Sequence, residues 1–246
     1  MSLEAFMSGA GSSVVDVLII ATIAGLAMPA GAMLATRESV QPQWLETEWR
    51  HGILALGAGA LVSAVGLVLV PNGVTNLSVV AAVVCFVGGA LAFMSLDIYL
   101  AKKKTAGSQC AAMLSDFVPE SIALGATAAL GGATMLLGVL IAVQNLPEGF
   151  NAYREMLPKN KQRSTRLIVI FAFMALLGPV FSLIGFFYLS QFPVMVSAIM
   201  LFAAGGILYS VFQDIAPQIR MDNHWLPPLG GIVGFLVGLV GHMLDK

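Results

Sequence analysis

Asp116 and Glu120 stand four residues apart in one long apolar stretch, a spacing that puts both carboxyl groups on one face of a helix. In the next stretch Gln144, Asn145 and Glu148 make a similar oxygen-bearing face. Each Glu directly follows a proline, as Pro119-Glu120 and Pro147-Glu148. A proline inside a helix removes a backbone hydrogen bond, so both places predict a kink with carbonyls freed beside the acid. In a membrane such a break is tolerated where it lines a cavity or packs on protein. Asp214 repeats the pattern, with Pro217 near it and Gln213 and Gln218 beside it. Three segments thus offer carboxylates and amides next to a proline. Carboxylate and carbonyl oxygens are the ligands that suit divalent cations.

Four acids in apolar surroundings demand compensation. A carboxylate at mid-membrane costs about 2.5–3.5 kcal/mol on insertion scales. Four that were central, ionised and independent would cost on the order of 10–14 kcal/mol, which rivals the stability of a whole domain. No Lys, Arg or His lies at matching depth in any apolar stretch. The acids are therefore either protonated or held against a bound cation. Their repeated spacing favours the cation.

The elements that must position these residues follow from composition. The chain has 246 residues, 58% of them apolar and 10% charged, with a net charge of -1 and a mean hydropathy of +0.90. Soluble domains carry about 25% charged residues. The balance excludes a soluble enzyme, a disordered chain and a nucleic-acid binder, and leaves an integral membrane protein. Crossing the hydrocarbon core takes about 20 apolar helical residues. Eight stretches qualify, over 14–36, 51–71, 78–101, 109–129, 132–156, 165–190, 194–218 and 227–244. The break between the fourth and fifth, near Leu130-Gly131-Gly132, is placed by length alone. The stretches lack the alternation of a membrane barrel. The expectation is one all-α integral membrane domain over 1–246, with eight transmembrane helices.

Basic residues orient that bundle. Eleven of the 12 Lys and Arg fall in alternate connections: Arg37 and Arg50, then Lys102–Lys104, then Arg154, Lys159, Lys161, Arg163 and Arg166, then Arg220. Only Lys246 falls on the other side. Lys and Arg mark the cytoplasmic face, so both termini are expected outside, in a cell (inner) membrane.

The remaining polar residues have plainer readings. His51, His224 and His242 sit at span ends or in loops and read as interfacial or solvated. Gly88-Gly89, Gly131-Gly132 and Gly205-Gly206 read as close helix packing. Lys102–Lys104 reads as a topology anchor. Asp97 reads equally as an interfacial residue or a gate. Cys85 and Cys110 make neither a disulfide framework nor a metal-ligand spacing.

The motif residues resemble a known family. Gln144-Asn145-Leu146-Pro147-Glu148-Gly149 resembles the His-Asn-x-Pro-Glu-Gly signature of the ZIP (Zrt/Irt-like) divalent-metal transporters. Asp116-Phe117-Val118-Pro119-Glu120-Ser121 looks like its partner copy in the preceding helix. Ala204 to Tyr209 together with Asp214 to Gln218 resembles that family's seventh helix. The resemblance covers essentially the whole chain, and the fifth-span motif is its most specific part. It implies a 3+2+3 bundle in which spans one to three and six to eight are inverted repeats around spans four and five. Pro29 and Pro179, at comparable places in spans one and six, agree with it. It also implies a metal site between the fourth and fifth helices. Glu120 and Glu148 stand at the family's bridging glutamates, Asp116 at a His and Asn145 at the motif Asn. Gln144 replaces the motif His, and Asp214 stands at the first acid of the seventh-helix motif. Phe117 occupies a ligand Asn position and cannot bind metal. Val68 stands where many members have a polar residue, Gln218 replaces an acid, and no motif His remains. Losing imidazole shifts the preference toward harder ions.

The resulting expectation is a divalent metal transporter of the zinc, iron and manganese class, moving metal toward the cytoplasm. It has no catalytic residues and no organic cofactor. Its partners are the lipid bilayer and the divalent ion, with no nucleic acid, and a homodimer is allowed. Two alternatives come with it: a non-transporting metal binder or sensor, and a proton-coupled carrier of a small solute using the acids as a relay.

Overall fold

Ser13 starts the first helix, α1 (Val14–Ala35), with a capping box. Its hydroxyl accepts from the Asp16 N–H at 3.2 Å, and the Asp16 carboxylate accepts from the Ser13 N–H at 2.9 Å. Asp16 is thereby accounted for as a cap. Ser78 caps α3 (Val79–Ala101) in the same way, accepting from the Ala81 N–H at 3.3 Å. The structure is a computed structural model that describes residues 13–36, 43–102, 106–157, 164–220 and 225–244. Arg37, Lys103, Lys104, Lys159, Lys161, Arg163, His224 and Lys246 lie outside the described residues.

Between the capped helices, α2 runs over Gln43–Ala64, passes through a π turn at Val65–Leu69 and ends on Val70–Gly73. The helices α4 (Ala106–Ala129) and α5 (Thr134–Met156) follow, joined by a turn in which Gly131 has φ of 72°. That left-handed backbone is one that glycine adopts without steric cost. Next, α6 comprises Thr165–Ala175 and Leu177–Phe187. Then α7 runs over Pro193–Ser210, a π turn at Val211–Ile215 and Ala216–Ile219. The last helix is α8, Pro227–Leu244. The described residues contain no strand.

Prolines fall into two groups. The kinks expected at Pro119 and Pro147 are not breaks, because α4 and α5 continue as α-helix through both. The Pro147 ring rests against Gly57 of α2, where its bulk is accommodated. The interruptions come before other prolines. Ahead of Pro71 the Val70 N–H bonds to the Val65 carbonyl, and ahead of Pro217 the Ala216 N–H bonds to the Val211 carbonyl. A proline cannot donate to the carbonyl four residues back and clashes with it, and a π turn moves that carbonyl aside. Ahead of Pro179, α6 breaks at Leu176.

Glycine pairs set the packing. The main crossings are α1 on α5, α6 on α4, α2 on α8 and α3 on α7. At each, one glycine from either helix faces the other's backbone: Gly31 and Gly149, Gly185 and Gly125, Gly59 and Gly234, Gly89 and Gly205. A methyl group at any of them would collide with a carbonyl, so the glycines let the helices approach closely. Of the three glycine pairs noted in the sequence, Gly89 and Gly205 behave as expected, whereas Gly88 faces open space and Gly131 serves the turn. The α2–α5 and α4–α7 contacts join the crossings into one bundle.

Six of the helical segments are long and apolar enough to cross a membrane: α1, Glu48–Gly73 of α2, α3, Thr165–Gln191, α7 and α8. Among the described residues, six of the expected eight thus meet the length and apolarity of a membrane span. The other two, α4 and α5, have 24 and 23 residues but carry the polar motif residues. They sit inside the bundle, while α3 and α8 present exposed valines and leucines such as Val79, Val83, Leu229 and Leu236.

Candidate functional site

Walls from α2, α3, α4, α5 and α7 enclose a cavity of about 320 Å3. Asp116 of α4, Glu148 of α5 and Asp214 of α7 line it. On α7 the lining residues Ser210, Asp214 and Gln218 recur every four positions, one face of the helix that spans the π turn. The cavity extends to Ala101, Glu155 and Gln218, at the ends of α3, α5 and α7 that also carry Lys102, Arg154 and Arg220. It is thus an acidic vestibule reached from the basic end of the bundle.

The other three expected ligands lie elsewhere. Glu120 and Gln144 are one helical turn from Asp116 and Glu148 respectively, and both are completely buried. The Gln144 side-chain N–H donates to a Glu120 carboxylate oxygen. Asn145, also buried, donates from Nδ2 to the Ala24 carbonyl of α1 at 2.8 Å. None of the three lines the cavity. The shared face expected for residues 144, 145 and 148 is split, because Asn145 lies about 100° around the helix from Gln144 and meets α1. Phe117 is buried against Gly178 of α6, beside the Ala21 carbonyl, and closes the bundle behind Asp116.

Two layers of oxygen result, an open one and a sealed one. Among the described residues, Asp116 Oδ1, Glu120 Oε1, Gln144 Oε1 and Asn145 Oδ1 are buried without a hydrogen-bond partner. A buried unpaired acceptor costs about 1–3 kcal/mol. All four atoms accept, so the arrangement has an excess of acceptors that a cation or added protons would satisfy. Asp116, Glu120, Glu148 and Asp214 are also close enough for their charges to act on one another. Among the described residues, no three His, Cys, Asp or Glu side chains converge closely enough to hold a metal ion directly.

No protein-family model and no curated protein matches the chain.

Several participants were not assigned from sequence. Asp97, read there as interfacial or a gate, lines the cavity and accepts from the Tyr209 hydroxyl at 3.4 Å. Glu155, near the end of the fifth apolar stretch, lines it too. Arg50 of α2 donates from Nη2 at 2.8 Å and from Nε at 3.2 Å to Asn151 Oδ1. The same guanidinium lies 3.8 Å from Glu155, which also accepts from Asn151 Nδ2 at 2.7 Å. A base therefore reaches the cavity's rim, at Glu155 rather than at any of the four acids singled out from sequence. Arg50 stands at the start of its apolar stretch, and nothing in its spacing signals that the end of α5 lies beside it. Val68 is buried inside the π turn of α2 and takes no part in the cavity.

Proposed function

We propose that this protein is a ZIP-like carrier of divalent metal cations, in which Glu148, Asp116 and Asp214 hold the ion in the vestibule. The observation that carries the reading is that those three carboxylates, from three helices, line one cavity reached from the basic end. Under the rule that Lys and Arg mark the cytoplasmic side, that end faces inward and both termini face out. An ion leaving the cavity would then enter the cytoplasm.

The proposed topology is an eight-crossing 3+2+3 bundle with inverted repeats. Its support is a correspondence between halves. Matching α1, α2, α3 and α4 to α6, α7, α8 and α5 maps the α1–α5 crossing onto α6–α4 and α2–α8 onto α7–α3. It also maps the π turn before Pro71 onto the π turn before Pro217. Inverted repeats with a site at their interface suit alternating access. Glu120, Gln144 and Asn145 form the sealed layer that would open when the outward path forms.

Uptake of Mn2+ or Zn2+ into proteoliposomes tests this reading. Glu148→Ala and Glu120→Ala should both abolish saturable flux, and wild-type rates in both variants would show the site misassigned. Burial of Phe117 at a family ligand position supports a second reading, a metal binder that does not transport. Stoichiometric binding with no flux in the same vesicles would select it.

A further inference from the structure

The vestibule suits a cation that keeps its water. We infer that the cargo is a hard divalent ion, Mg2+ or Mn2+, held through its hydration shell rather than by direct ligation. This rests on the proposed transport reading and specifies its substrate.

Three observations carry it. First, Asp116, Glu148 and Asp214 stand on separate walls and do not close to a three-ligand cluster. Direct ligation needs oxygens at about 2.0–2.6 Å from one point. Second, the cavity has room for retained water: it offers about 320 Å3 along five helices, against the roughly 10–15 Å3 of such space that one water needs. Third, the polar part of the lining is oxygen-rich: carboxylates on four helices, hydroxyls of Ser115 and Ser210, and amides of Asn151 and Gln218. Carboxylate oxygens accept hydrogen bonds from metal-bound water. Asp116 lines this space, and its Oδ1 is buried without a hydrogen-bond partner.

The chemistry of the ions then discriminates. Mg2+ dehydrates reluctantly and is usually held by one or two carboxylates with several waters retained. Zn2+ prefers four close ligands, with nitrogen and sulfur favoured. No His or Cys is among the lining residues, and Met113 supplies the single sulfur. An open ring of acceptors thus rewards a retained hydration shell and gives little advantage to an ion that sheds it.

Displacement of Mn2+ from the purified full chain in neutral detergent tests the inference, with free Mn2+ read by electron paramagnetic resonance. Cobalt(III) hexaammine serves as an exchange-inert mimic of a hexahydrated ion. The expected result is that hexaammine displaces Mn2+ at concentrations within about tenfold of those needed for Mg2+, with Zn2+ no better than tenfold more potent than Mg2+. Glu148→Gln and Asp214→Asn should each weaken hexaammine displacement at least threefold while the protein stays monodisperse. Hexaammine that fails to compete, or Zn2+ that competes a hundredfold better than Mg2+, overturns it. So does displacement unchanged in both variants. The transport reading is separable: Glu148-dependent Mn2+ or Zn2+ flux without hexaammine competition sinks only the hydrated-ion inference. Absence of any saturable divalent binding and flux sinks both.

Discussion

The open and sealed halves of the acidic region use similar residues for opposite ends. Asp116 and Glu148 border a cavity, whereas Glu120 and Gln144, one turn away on the same two helices, bond to each other out of reach of it. A single turn of helix separates an ion-accepting wall from a plug. Glutamate in apolar surroundings is therefore no uniform signal: what it does depends on whether its neighbour across the helix pair is another carboxylate or an amide donor.

Substitutions can break that contrast. The largest effect is expected for Glu148→Ala, where losing a charged contact of about 1.5–3 kcal/mol should cut ion affinity roughly 10- to 150-fold. Its thermal midpoint in detergent should stay close to wild type. Asn145→Ala should do the reverse. Losing its bond to the Ala24 carbonyl should lower stability by about 1–3 kcal/mol, seen as an earlier melt, with ion affinity changed less than about threefold. If Asn145→Ala loses affinity without losing stability, the sealed layer belongs to the ion site. Asp214→Asn, on the exposed wall, is expected to cost about tenfold in affinity, as measured by Mn2+ titration.

Acid should act on the open layer in the same direction. A protonated carboxyl has no charge to offer a cation, so uptake should fall as the medium is acidified and recover when the acid is removed. Uptake that rises with acid would point instead to proton-driven solute transport. The smallest effect is expected at the rim. Arg50→Gln removes a partly exposed pair with Glu155, worth no more than about 1 kcal/mol. It should shift apparent affinity less than about fivefold, and toward tighter binding, since Glu155 is freed for the ion.

How much of this was readable from sequence depends on the range of the interaction. The helices were, because apolar runs are local signals, whereas the glycine pair at Gly131 suggested packing and serves a turn. Asp116, Glu148 and Asp214 were, because acids in apolar runs are conspicuous. The split between layers was not: whether Glu120 meets Gln144 or water depends on how α4 and α5 register against each other. Arg50 was missed for the same reason, since Asn151 is remote in the chain and adjacent only in space. Pro119 and Pro147 beside the acids lie inside continuous α-helix, while Pro71 and Pro217 each follow a π turn.

The two π turns are, in effect, one-residue insertions that the helices have absorbed. Each turn takes up an extra residue, so the faces before and after it are rotated by about 100° relative to an unbroken α-helix. Leu54 and Leu61, facing the cavity before Val65–Leu69, do not predict by periodicity which residues beyond the turn face inward. Removing Phe212 from the π turn Val211–Ile215 should turn Asp214 by about 100° relative to the helix before it, and so move it on the cavity wall. Length here encodes direction: a single deletion would act on the site as strongly as replacing the acid, without touching any acid at all.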